Sequence, residues 1–338
     1  MATTSRAAVF LGAGQALQVT DIEVDRPAPG EVLIRNHAVA LQPLDAKMLI
    51  AGYGPATSMQ YPAALGTGGA GVIEEVGEGV VGLKVGDRVA FDTKAYVVPE
   101  KNRRQGTWQQ LVSCDATTVA KIGDVAFEQA VLVDFPLQTA VAALHVFLGM
   151  GVPGSGKAED KVLIWGAGGA VGSYGVQYAK SVGHTVVVTA SPRDVERQKR
   201  IGASEVVDYK SADVVERLRE LGPYKYLFTA SGDAASQKAL AALLPNGGKF
   251  ASVLPGAAEL PQDVEIVYTA FSQAAQKEEY SDWGNFWYQQ YLPEVLAKDL
   301  VEPVKFTKVD GGLAALQQAN QDVFDGKVRG KLVINPQE

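Results

Sequence analysis

Apolar and polar positions alternate with a period near two along the first 125 residues or so, in short runs broken by glycine: EVLIRNHAV (31–39), GGAGVIEEVG (68–77), GDRVAF (86–91) and WQQLVS (108–113). Successive side chains of a strand face opposite ways, so this pattern predicts short, half-buried strands joined by tight turns. From Ala126 the texture changes. A helical stretch carrying Leu132, Val133, Leu137, Ala140, Val141 and Leu144 leads into the polar linker GVPGSGKAED (151–160). Six apolar runs then alternate with helix-length amphipathic segments: KVLIWG (161–166), TVVVTAS (185–191), EVVDY (205–209), YLFTAS (226–231), GGKFASVL (247–254) and VEIVYTA (264–270). Near-continuous apolar strands separated by helices predict a parallel sheet covered on both faces, a doubly wound α/β fold.

After Phe271 the alternation stops. An aromatic-rich helix (Trp283 to Leu296), a strand near Val304, a helix from Gly311 to Phe324 and a last strand KLVI (331–334) are expected to return to the first domain. The expected organisation is a β-rich domain of residues 1–125 completed by 272–338, around a nucleotide-binding domain of residues 126–271. Trp283, Trp287 and Tyr291 fall on one helical face, which reads first as core.

The chain has 338 residues, 47% hydrophobic and 20% charged, enough for two buried cores. Lys and Arg total 31 against 38 Asp and Glu, a net charge of −7, with no basic run to follow a phosphate backbone, so nucleic acid is not an expected partner. Cys114 is the single cysteine, which excludes an internal disulfide and a thiolate-rich zinc site and favours a reducing compartment. MATTSRAAVF lacks the pattern of a signal peptide, and the apolar run from Thr139 to Met150, interrupted by His145, reads as too short to span a bilayer. A cytoplasmic protein with no membrane partner is expected.

The strongest chemical signal is WGAGGAVGS (165–173), directly after the first buried strand and directly before the helix-like SYGVQYAKSVG. Gly166, Gly169 and Gly172 are spaced for a tight turn that lets a pyrophosphate approach the N–H groups at a helix start, here those of Gly168, Gly169, Ala170 and Val171. NAD sites place Asp or Glu about 20 residues further on, at the end of the second strand. Here that strand runs into Ser191, Pro192 and Arg193, a hydroxyl and a guanidinium suited to a 2′-phosphate, so NADPH is the expected cofactor, tempered by Asp194. Gly151 to Lys157 imitates a P-loop but is followed by Ala158 and precedes the strand. His37, His145 and His184 lack partners at metal-ligand spacing, and no Gly-x-Ser-x-Gly elbow supports a hydrolase.

Four segments in order, ALQPLDAKM (40–48), GTGGAGVIEEVGEGVVGLKVGDRV (66–89), GAGGAVGSYGVQYAK (166–180) and VRGKLVI (328–334), resemble the medium-chain dehydrogenase/reductase superfamily across nearly the whole chain. Where its zinc alcohol dehydrogenases carry Gly-His-Glu, this chain has Gly66, Thr67 and Gly68; the Cys-Gly-x-Asp segment is replaced by Leu41 to Asp45, and the four-cysteine lobe is absent. The resemblance is therefore to the zinc-free branch of quinone and enoyl reductases, with no metal expected. QPLDAK is similar to the Asn-Pro-x-Asp-x-Lys segment of trans-acting enoyl reductases, with Gln42 for Asn; TASP (189–192) and VVDY (206–209) are similar to the same subgroup.

The resemblance implies a GroES-like β domain beside a Rossmann domain, and residues near the cofactor at Asp45, Ser191, Tyr209, Val253, Leu254, Val328 and Arg329, with Thr139 near the nicotinamide. It implies a small-molecule substrate, including one carried as an enoyl thioester, and leaves monomer and homodimer open. A zinc-free cleft offers hydrogen-bond donors only, which suit hydride addition to an enone or quinone because the charge spreads over an enolate. Gln42, Lys47, Tyr53 and Thr139 are the candidate catalytic donors. An NADPH-binding protein without turnover, and a zinc-free alcohol or carbonyl oxidoreductase, are the alternatives.

Overall fold

The structure, a computed structural model, describes residues 3–338. Eight strands come first: β1 (Thr3–Phe10), β2 (Gln18–Val24), β3 (Glu31–Ala40), β4 (Ala63–Ala64), β5 (Gly68–Val76), β6 (Arg88–Asp92), β7 (Leu111–Asp115) and β8 (Val119–Lys121). β1 and β2 were not anticipated: β1 buries the small Ser5, Ala7 and Ala8 and then Phe10, with no run of large apolar residues, and β2 has no fully buried residue. β1 pairs antiparallel with β2 and β4 in a small sheet. β3, buried at eight of its ten positions, pairs antiparallel with both β5 and β7.

The six apolar runs form β9 (Lys161–Trp165), β10 (Thr185–Ala190), β11 (Glu205–Asp208), β12 (Tyr226–Thr229), β13 (Gly248–Ser252) and β14 (Val264–Val267). They pair in parallel in the order β11-β10-β9-β12-β13-β14. The first strand therefore lies mid-sheet, and the order reverses between β9 and β12, the switch point outside which doubly wound sheets bind ligands. Leu163, Val187, Leu227 and Phe250 share one core with Leu218 and Leu240 from covering helices. The P-loop imitation is a surface turn ahead of β9, with Gly156 N–H donating to Val182.

The tail gives β15 (Phe306–Val309), slightly later than expected, the helix Gly312–Phe324, and β16 (Lys331–Ile334). β16 pairs parallel with β15 and antiparallel with β3, so the chain's last strand completes the sheet β15-β16-β3-β5-β6-β8. Leu313, Leu316 and Ala319 of that helix join Phe10, Met48, Leu65 and Trp108 in one core; Val32, Ile34, Val89 and Phe91 belong to another. The aromatic helix runs from Ser281 to Ala297 with a π-helical stretch at Trp287–Tyr291, and Trp283, Trp287 and Tyr291 are buried, as a core stripe requires.

By compactness the chain divides into one unit of residues up to Phe135 with Ala275–Glu338, and another of Pro136–Ala274. The division falls inside the helix Phe127–Val141, whereas the sequence texture changes at its start. This helix continues through π geometry to Phe147, 21 residues long enough and apolar enough to cross a membrane by length and composition, with 78% of its apolar window buried in the protein. It is longer than the Thr139–Met150 run because Leu132 and Val133 belong to the same helix, across the buried Asp134.

Candidate functional site

In the parallel-sheet unit β9 ends at Trp165 and the helix Ala170–Val182 begins five residues later with Gly169 at its N-cap. Gly166 turns the chain at φ +85°, and a Cβ on Gly172 would stand 2.4 Å from the Gly166 carbonyl oxygen. Helix and turn thus approach at a distance only glycine permits. The turn is strapped from the next strand: Thr189 Oγ1 accepts from Gly166 N–H at 3.0 Å, and its carbonyl accepts from Ala167 N–H at 3.0 Å. Ala167 O in turn accepts from Ser173 Oγ at 2.9 Å and Gln198 Nε2 at 3.0 Å. The first intrahelical bond runs from Ser173 N–H to Gly169 O, so the amides of Ala170, Val171 and Gly172 precede it at the positive end of the helix dipole. A cradle of bare backbone and forward N–H groups fits a pyrophosphate.

The parallel register brings the ends of β10 and β11 side by side, Ala190 opposite Asp208, so Ser191 and Tyr209 leave the sheet together. Tyr209 is exposed, with Lys210 Nζ 5.7 Å from its ring centre, a cation the sequence reading missed. Arg193 Nε donates to Ser191 Oγ at 3.2 Å, while Ser191 Oγ donates to Asp194 Oδ2 at 3.1 Å. The Ser191 proton is therefore committed to a carboxylate, and Asp194 Oδ2 also lies 3.3 Å from where a Gly168 Cβ would be. Asp194 brings negative charge to the glycine turn itself. Val253 and Leu254 follow β13 at the same carboxyl edge, held by Val253 N–H to Thr229 O and by Leu254 N–H to Ser252 Oγ. Thr139 belongs to this unit, on the helix Phe127–Val141.

In the antiparallel unit, Pro43–Ala51 forms a helix with Pro43 in its first turn and Asp45 Oδ2 accepting from Gln42 N–H at 3.0 Å. Lys47 lies on this helix; its carbonyl accepts from Tyr53 N–H at 3.3 Å and its Nζ is 5.5 Å from the centre of the Tyr53 ring. Tyr53 is 39% exposed, so these two predicted donors meet at the surface of the unit. Gln42 and Asp45 are instead buried. Gln42 Nε2 donates to Ala40 O at 3.1 Å, and Gln42 Oε1 accepts from Lys331 Nζ. Asp45 Oδ1 accepts from Tyr96 Oη at 2.7 Å, and burial pushes its carboxyl up to about 6. Both side chains are committed to the protein's own groups. Val328 packs against the core beside Leu332, and Arg329 is exposed ahead of β16.

Gly68 opens β5 and Thr67 directly precedes it, with Thr67 O accepting from Thr93 N–H. Nearby, Asp92 and Asp134 are buried carboxyls, and the Asp134 charge adds to the cost of ionising Asp92. Burial pushes Asp92 well above the carboxylate range and Asp134 to about 7, and Trp287 Nε1 donates to Asp134 at 2.9 Å. Among the described residues no three His, Cys, Asp or Glu side chains gather as metal ligands. His145 and His184 bond to the carbonyls of Met150 and Lys157, and His37 stacks on Phe127.

Residues 28–124 match the alcohol dehydrogenase GroES-like domain, and residues 170–289 the zinc-binding dehydrogenase model. The trans-enoyl reductase ACTTS2 of Alternaria alternata is 30% identical, with 98% of each chain covered. The trans-enoyl reductase tazE of Aspergillus terreus is 35% identical over 73% of this chain and 84% of its own. Among solved structures, a quinone oxidoreductase of Pseudomonas syringae superposes with a TM-score of 0.77 at 24% identity, covering 98% of this chain and all of its own. The β-rich sheet closed by the C-terminal strand, the doubly wound sheet and the glycine turn agree with these matches, and the chain belongs to the medium-chain dehydrogenase/reductase superfamily, in the branch of the trans-enoyl reductases.

Proposed function

We propose that this chain is a zinc-independent, NADPH-dependent reductase that delivers hydride to the β-carbon of an α,β-unsaturated carbonyl, carried free or as an enoyl thioester. The observation that carries the reading is the glycine turn at the carboxyl edge of the parallel sheet, beside the end of β10, which closes on Ala190 with no acidic residue at its last position and leads into Ser191 and Arg193, with Tyr209 following the neighbouring β11. The names of the relatives support the enoyl class of substrate.

The amides at the start of helix Ala170–Val182 would hold the pyrophosphate, and Arg193 with Lys210 the 2′-phosphate. When bound, the nicotinamide supplies the hydride. Lys47 Nζ and Tyr53 Oη would then donate to the developing enolate oxygen, Lys47 supplying positive charge and Tyr53 a neutral donor, with Thr139 on the nicotinamide side. Gln42 and Asp45 act through the helix they anchor. Thr67 and Gly68, at the positions of zinc ligands in the alcohol dehydrogenases, offer no imidazole or thiolate, which supports chemistry without zinc. The domain division proposed is a catalytic domain of residues 1–125 with 272–338 and a nucleotide domain of 126–271, in a cytoplasmic protein.

A substrate screen with deuterated NADPH tests this, the label being located in the product by NMR. Label on the β-carbon is expected. Label on a carbinol carbon, or no oxidation of NADPH by any enone or quinone, refutes it.

A further inference from the structure

The C-terminal strand places a lysine where a lysine is costly. Lys331, at the start of β16, is 8% exposed, and an unpaired buried ammonium is strongly disfavoured. Its Nζ donates to Leu41 O at 3.2 Å and to Gln42 Oε1, and the carboxylate of Asp45, itself 2% exposed, supplies the facing charge. Asp45 in turn holds Gln42 N–H and Tyr96 Oη, and Tyr96 Oη accepts from Gly66 N–H at 2.6 Å. Leu41 N–H donates to Leu332 O at 3.0 Å beside them. Three distant stretches, the end of β3, the Leu65–Thr67 approach to β5 and β16, are thus tied to the first turn of the helix that carries Lys47.

The surroundings do not ask for charge. Leu41, Met48, Leu49, Leu65 and Leu332 belong to the core that encloses the network. Replacing buried groups of opposite charge by apolar groups of similar volume is often neutral or stabilising, so net stability does not account for them. What they do impose is direction: an ammonium fixed by two acceptors and a carboxylate fixed by two donors allow one placement of the helix start. Lys47 follows Asp45 by two residues, and Tyr53 is bonded back to the Lys47 carbonyl, so a helix that slides or frays at Gln42 carries both donors away together.

We propose that Lys331 is a positioning residue for the reductase site, acting through Gln42 and Asp45 to hold Lys47 and Tyr53 at the angle that meets the substrate carbonyl. The proposal rests on the assignment of Lys47 and Tyr53 to the enone site. It also assigns the C-terminal strand a part in catalysis that no contact with substrate would reveal.

Lys331→Met, Asp45→Asn and the double variant are compared by NADPH titration, by kcat and KM for an enone, and by hydrogen exchange of the peptide spanning residues 43–53. In Lys331→Met, NADPH affinity is expected within twofold of wild type, kcat/KM at least tenfold lower, and exchange in 43–53 at least fivefold faster. Asp45→Asn, which can accept only one of the two bonds Asp45 holds, should show losses of the same kind, and in the double variant the losses should not multiply, because both residues act through the same helix start. Turnover and exchange within twofold of wild type in Lys331→Met, or losses that multiply in the double variant, overturn the proposal. Should Lys331→Met not fold, Lys331→Gln, which keeps an N–H donor without the charge, is read in the same way. If the wild-type protein reduces no enone the reductase reading fails by itself, while the exchange of 43–53 still decides whether Lys331 holds the helix.

Discussion

Replacing Gly172 by Ala puts a Cβ 2.4 Å from the Gly166 carbonyl oxygen and 2.8 Å from the Ala167 Cα. Both are backbone atoms, which no rotamer change can move aside. The contact must open by more than half an ångström before it is tolerable, and the turn is held by Gly166 N–H and Ala167 N–H on Thr189, each at 3.0 Å. Stretching two such bonds costs about 1–3 kcal/mol at roughly 0.5–1.5 kcal/mol each, the scale on which overpacking also lies. Because the same displacement moves the N–H groups that receive the pyrophosphate, we expect NADPH affinity to fall about ten- to a hundredfold in fluorescence titration. Gly168→Ala is the control: its Cβ meets only Asp194 Oδ2, at 3.3 Å, the end of a side chain that can swing away, so affinity should change less than about threefold. Wild-type affinity in Gly172→Ala, or equal losses in the two variants, would refute the assignment of the cofactor to this turn.

Arg193→Ala should weaken NADPH binding by about 1–2 kcal/mol, the scale of a charge-assisted hydrogen bond, and leave NADH nearly unchanged. Asp194→Asn, which removes the carboxylate bonded to Ser191, should strengthen NADPH binding more than NADH binding; equal changes for the two cofactors in parallel titrations would contradict the 2′-phosphate assignment. Burial lifts the Asp134 carboxyl from 3.8 to about 7 in the folded protein, so the proton is held more tightly folded than unfolded, and its contribution to stability is full below about pH 4 and lost as the pH rises to about 7. Asp134→Asn keeps an acceptor for Trp287 and should therefore raise the melting temperature at pH 8, by at most about 4 kcal/mol of stability, and leave it level near pH 4; a pH-independent difference would be inconsistent with this account. Lys47→Met and Tyr53→Phe should each lower kcat for enone reduction with NADPH affinity intact, and full activity in both would remove these residues from the site.

The sequence by itself determined the elements that bury strong patterns and the chemistry of the glycine turn. KVLIW and TVVVTA had to be interior strands because a run apolar on both faces is stable only between two layers of helix, and Gly166 and Gly172 advertised a backbone approach that no side chain allows. KLVI was legible for the same reason, as a strand buried at every position. β1 and β2 were not: β2 is mostly exposed and owes its stability to its partner, and β1 buries the small Ser5, Ala7 and Ala8, which carry little strand signal of their own. The site shows the same divide. Lys47 and Tyr53 were found as residue types in a motif, but their meeting follows from the chain reversal after Ala51, where Gly52 ends the helix. Gln42 and Asp45 looked like groups free to serve a ligand until β16, nearly three hundred residues away, brought Lys331 onto Gln42, and Tyr96 closed on Asp45. Asp194 was visible as a charge, and only its rotamer turned it onto Ser191 and over the glycine turn. Burial and partnership are sums over contacts distant in the chain, so which polar groups are spent within the fold and which remain for a ligand is decided by tertiary structure alone.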